Sequence, residues 1–259
     1  DMKISILLLS TMFLFLASTQ IGVGYYATDQ KMSCKKQDDF IMLTPFQASI
    51  KEEKRIAHIF QGLSPRFNPI KRSQLITAFS ARTFLKEEHL NDVNSFDQTT
   101  LKLISNDKDY SEGISNYGEM LSKEQLSQLN NLPLSSNFVV EIRANGYHNY
   151  TPHFTLIPEV QAEYSLGLGA LFDYLRTNSQ DEIDQLDEDR LGPGRLYLTV
   201  GTDGKLKDLK LWNSSRDEAF DERVLELMGT LPGDWKPAED AKGNKVEQEL
   251  VLFFGIIGC

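Results

Sequence analysis

Cysteine and histidine are scarce in this sequence, with two of the first and four of the second among 259 residues. Neither Cys34 nor Cys259 has a Cys or His neighbour at the spacing a zinc site needs, so a structural metal cluster is not expected. A disulfide between them would tie the two ends together in an oxidising compartment. Both lie in terminal segments, which tend to be mobile, so no buried structural pair is expected. His58, His89, His148 and His153 form no His-Glu-x-x-His pair, which removes the zinc peptidases. His148 and His153 flank a turn and read as a solvated loop rather than a metal site. The nine prolines are scattered, so there is no proline-rich spacer. Internal repeats, low-complexity runs, a Gly-x-Ser-x-Gly elbow and a phosphate loop are all missing, and Gly167-Leu168-Gly169 lacks the third glycine of a dinucleotide fingerprint. An enzyme is not expected, nor any cofactor. Positive charge is also in deficit: the formal net charge is -10. A chain this acidic repels phosphate backbones, so nucleic acid is excluded as the expected partner.

What is present is enough apolar residue, 41% against 25% charged, for a packed core. Lys3 precedes an apolar run from Ile4 to Ala17, the pattern of a secretory signal peptide with cleavage near Ala17-Ser18-Thr19 or Ala27. Run on through Ile21, Val23 and Tyr26, the same segment reads as an uncleaved anchor, which Ser18, Thr19 and Gln20 interrupt. The expected divisions are therefore a signal peptide or anchor at 1–27, an extension at 28–69, a β-rich domain at 70–158 and a further domain at 159–259.

In the β-rich region, 75–79 and 99–104 read as strands by their apolar and β-branched content. Ser122 to Gln125 is a capping box that opens the region's one expected helix. A strand is expected at 138–142, and Asn145-Gly146 suits a tight turn. Farther on, Leu168, Leu171, Phe172 and Leu175 share a helix face. The acidic stretch 181–190 lacks the glycine and terminal glutamate of a calcium loop and reads as a connector. Leu196, Leu198 and Val200 alternate along a strand, Thr202-Asp203-Gly204 turns, and Leu209 and Leu211 alternate along its partner. Ser215 to Glu218 reads as another capping box, before a helix that turns Phe220, Val224, Leu227 and Met228 inward. Trp235 reads as a core plug, and 246–254 as the last strand. The fold class expected is α+β: a three-stranded antiparallel sheet with two helices on one face, preceded by the β-rich domain.

The ordered set Gly194-Arg195, Thr202-Asp203-Gly204, Phe220 to Leu231, Trp235 to Ala238, Gly243 and Gln248 to Phe254 resembles the TonB C-terminal family. The closing Phe253 to Cys259 looks like a Bacteroidetes-type variant. More faintly, Tyr117-Gly118-Glu119 with Leu121 to Gln125 and the 138–142 strand is similar to the extracytoplasmic domains of the gliding-motility protein GldM. The TonB resemblance implies that an extended segment of a partner protein, such as an outer-membrane receptor, adds to the last strand through its edge. Carried over by position, the binding residues are Glu247, Glu249, Val251 and Phe253. The chain departs from an energy transducer: residues 4–26 carry no His to engage a motor, and a folded region stands where the spacer would be. The expected function is therefore an exported cell-envelope interaction protein, with a divergent TonB-type transducer as the alternative. The membrane enters only through an uncleaved N-terminus. Residues 28–160, or a second copy of the chain in a homodimer, are the competing occupants of the edge.

Overall fold

The computed structural model describes residues 59–105, 109–146 and 148–256, all of which fall in one compact unit of the chain. The apolar run at 4–17 and both cysteines lie outside the described residues. Among those described, no helix is long and apolar enough to cross a membrane. The class is mixed α+β, with most strands paired antiparallel.

The first strand, β1 (Phe60–Ser64), belongs to the C-terminal sheet. The β-rich module then runs β2 (Asn68–Lys71), α1 (Arg72–Ile76), a 3-10 turn (Ala81–Phe84), α2 (Glu87–Leu90), β3 (Phe96–Ile104), β4 (Ile114–Tyr117), α3 (Lys123–Asn130), β5 (Asn137–Ala144), β6 (His148–Tyr150) and β7 (His153–Ile157). Its sheet has the order β2-β7-β5-β3-β4, with β6 also on β5 and only β2–β7 parallel. Phe138, Val140, Ile142 and Ala144 enter the core at a period of two. Asn145 and Gly146 turn at φ 51° and 77°, the conformation their residue types tolerate.

Two expectations need correcting in this module. It carries three short helices rather than one. The stretch 75–79 is not a strand: Leu75 and Ala78 are buried while Ile76 and Phe79 stay over half exposed. Leu75 and Ile76 end α1, which the Gln74 side chain opens by accepting from the Lys71 N–H at 2.9 Å, and 77–79 leave it as a turn in which the Ala78 N–H donates to Leu75 O at 3.1 Å.

The C-terminal module follows as β8 (Glu163–Tyr164), α4 (Gly167–Asn178), α5 (Gln180–Ile183), β9 (Pro193–Val200), β10 (Leu206–Asn213), α6 (Glu218–Gly229), β11 (Trp235–Lys236), β12 (Ala238–Glu239), β13 (Lys245–Val246) and β14 (Gln248–Gly255). The 181–190 connector is thus partly helical, and its Ile183 reaches the core. Leu196, Leu198 and Val200 of β9 and Leu250, Leu252 and Phe254 of β14 meet Phe220, Val224, Leu227 and Met228 of α6 and Leu171 and Leu175 of α4. Leu211 packs against this cluster half-buried. Trp235 plugs it, 5% exposed with its ring 5.4 Å from Tyr164.

The C-terminal sheet has four strands, not three, in the order β1-β14-β9-β10. The added strand, β1, comes from the segment expected to be an N-terminal extension at 28–69. The helix cap is also displaced from its expected frame. Asp217, not Ser215, accepts from the Phe220 N–H at 3.0 Å, while the Ser215 N–H donates back to the Asp221 carboxylate at 2.9 Å. An aspartate accepts from a backbone N–H as well as a serine does.

Candidate partner-binding edge and groove

An edge strand leaves every second N–H and C=O unpaired, which is why the last strand was expected to bind a partner. Along residues 251–255 of β14 those groups face β1. β1 runs antiparallel beside it, with Phe60 opposite Phe254, Gly62 opposite Phe253, Leu63 opposite Leu252 and Ser64 opposite Val251. A bulge at Gln61 shifts the register, and the Gln61 side-chain amide donates to the Gly255 carbonyl at 2.8 Å. The Gly255 N–H donates to Ile59 O at 2.7 Å. Below the end of β1, the Glu249 N–H donates to Ser135 Oγ at 3.0 Å, from the loop before β5. Phe60 is 4% exposed and lies 6.0 Å from the Phe220 ring, so β1 is anchored in the core.

The four residues expected at the partner site therefore have different surroundings. The period of two does turn Glu249, Val251 and Phe253 away from the helices. Val251, expected on an open surface, is 1% exposed. Phe253 is half-buried, with the Arg195 guanidinium 5.9 Å above its ring. Glu247 is exposed before β14 begins and is ion-paired with Lys207 of β10.

The sheet's opposite edge, β10, is interrupted by register shifts between Lys207 and Lys210 and between Leu211 and Asn213. Asp208, within the first, has φ 55°. Bulges and charges of this kind blunt an edge against pairing.

The face of the sheet away from the helices forms one wall of a groove of about 720 Å³, with the 132–137 loop and the end of β3 opposite. Tyr197 of β9 lies on this wall, Glu249 and Lys210 flank it on β14 and β10, and Arg66 enters from the turn after β1. The Trp212 ring meets Tyr197 edge-on at 5.4 Å, and Lys210 Nζ sits 4.9 Å over the indole. Tyr197 is 8% exposed, and its hydroxyl has no hydrogen-bond partner among the described residues. Burial pushes this phenol up from its ordinary pKa, against the pull of Arg66 and Arg195. Burial likewise raises the Glu249 carboxyl, with Arg66 partly offsetting it. Burial lowers the Arg66 guanidinium, whose carbon sits 4.5 Å over the Phe67 ring.

The sequence reading missed this groove. Its one available signal was the outward face of β9, where Arg195 and Tyr197 are large for a merely solvated surface. Elsewhere, the His153 ring packs 5.1 Å from Phe67, with Nε2 3.3 Å from the Tyr110 hydroxyl. Among the described residues, no three His, Cys, Asp or Glu side chains are placed to hold a metal ion. Set against models of protein families, against curated proteins and against solved structures, the chain matches none of them.

Proposed function

We propose that this chain is an exported cell-envelope interaction protein whose C-terminal module is TonB C-terminal-like and takes up an extended segment of a partner protein on β14. Export rests on Lys3 and the apolar run that follows it. The TonB-like reading is supported by the order of α4, the β9–β10 hairpin, α6 and β14 around one apolar core. The observation that carries the binding mode is β1 itself. The outer edge of β14 is competent for strand addition, because it holds an extended segment drawn from nearly two hundred residues away in the chain. Main-chain hydrogen bonds give such an addition its affinity, and side-chain pockets give it selectivity. A partner segment exchanges with β1 along the same ladder and brings an apolar side chain to the place Phe60 fills.

The test uses a labelled synthetic peptide copying residues 59–65. Gly62 lies opposite Phe253, and a proline there removes a ladder donor and loosens β1. The Gly62→Pro protein should capture the peptide in trans more tightly than the parent does, by fluorescence anisotropy. Adding Val251→Pro on the receiving strand should abolish that capture. No capture by a Gly62→Pro protein that circular dichroism shows to be folded would defeat the strand-exchange reading.

A further inference from the structure

The groove on the helix-free face of the C-terminal sheet adjoins the outer edge of β14, sharing Glu249 and Ser135 with it, but its chemistry asks for a different kind of occupant. Three classes of ligand fit poorly. An apolar ligand would cover the Tyr197 hydroxyl, unpartnered among the described residues, and the Glu249 carboxylate without offering either a hydrogen bond, which is unfavourable. A strongly charged ligand would meet Arg66 and Lys210 together with Glu249 and Asp208, a lining whose formal charges cancel. An extended peptide that adds as a strand is recognised through a ladder of backbone groups. The groove wall is a sheet face, and the adjoining edge, β10, is broken by two register shifts.

What the lining does present is an aromatic surface, Trp212 beside Tyr197, next to a carboxylate, a guanidinium and a buried hydroxyl that lacks a partner. Such an orphaned polar atom in a native fold calls for an explanation, and a ligand able to complete it is one. A sugar ring has a C–H face for an aromatic surface. Its neighbouring hydroxyls each donate and accept, so one pair can donate to Glu249 while accepting from Arg66 or Lys210. The volume, about 720 Å³, lies within the range of about 300–1,000 Å³ common for small-ligand sites. We infer that this groove is a binding site for a short neutral oligosaccharide, with Trp212 as the aromatic contact on the face that Lys210 does not cover, and Tyr197, Glu249 and Arg66 as the polar contacts.

The experiment titrates the whole chain by calorimetry with short neutral gluco-, manno- and N-acetylglucosamine oligomers. Uronic-acid oligomers and unstructured peptides form the comparison arms. At least one neutral series should bind, and its affinity should change little with added salt, because no net charge is neutralised. Tyr197→Phe removes only the hydroxyl and should weaken binding about tenfold, equivalent to about 1.4 kcal/mol. Trp212→Ala should weaken it at least as much. Glu163→Gln, at an exposed ion pair with Lys236 outside the groove, should leave it unchanged. Failure of every neutral series to bind, preference for the acidic oligomers or the peptides, or parental affinity in a folded Tyr197→Phe protein would each overturn the inference.

Discussion

Glu249 shows how far one side chain's surroundings depart from what its letter suggests. The alternation of β14 turns it from the core, which in an isolated sheet would leave it solvated. The β-rich module closes over that face instead, and burial raises its carboxyl above the usual carboxylate range. A carboxyl raised in the folded state contributes stability that is fully present below its unfolded pKa and is lost as pH rises through the folded value. Glu249→Gln should therefore be more stable than the parent at neutral pH, and the difference should disappear in acid, where the parent carboxyl is protonated as well. Denaturant melts at the two pH values measure this; an equal difference at both would show that the charge is not the cause. Gly204 teaches the complementary lesson. Its place in a turn was legible, and its φ of 77° agrees. That a Cβ there would also strike the Trp235 carbonyl oxygen depends on a segment thirty residues away, which no local pattern reveals.

Helices and strands were legible where a single period ran long enough. α4, β9, β10, α6 and β14 each carry one apolar period over eight residues or more, and the sequence reading placed all of them. The short pieces failed for a physical reason: in five residues, a buried pair spaced by three and one spaced by two are hard to tell apart. α3 was found by its cap. Ser122 Oγ accepts from the Gln125 N–H at 3.1 Å, and Gln125 Oε1 accepts from the Ser122 N–H at 2.9 Å. The sequence did not disclose the second duty of Gln125. Its amide donates to Thr99 O at 3.0 Å and Ile114 O at 2.8 Å, pinning the helix to β3 and β4. Gln125→Leu keeps much of the volume but removes both donors and the cap partner. It should cost about 1–3 kcal/mol in an equilibrium melt, the penalty for leaving buried acceptors unpaired. A change near zero would mean that water reaches those carbonyls.

At the scale of the molecule, α6 is the element on which the C-terminal module closes. Leu227 is 3% exposed among residues from β9, β14 and α4. Leu227→Ala should destabilise by about 2–5 kcal/mol, as large-to-small core changes do. Trp212 and Trp235 both lie in this module, so tryptophan fluorescence during denaturation reads the effect directly. A loss under about half a kcal/mol would show that Leu227 does not occupy the core. The sequence alone determined the α+β class, the helix–hairpin–helix–strand order of the last hundred residues and which face of each long element packs against the module's apolar core, because alternation and helical spacing are local properties. Only the tertiary structure decided what covers the other face. β1 comes from beyond the expected boundary to complete the sheet, Ser135 takes the next edge N–H, and the groove forms where two modules meet. Each of these joins residues far apart in the chain, and hydrophobic periodicity carries no information about which distant segment will satisfy an exposed backbone or cover a polar face.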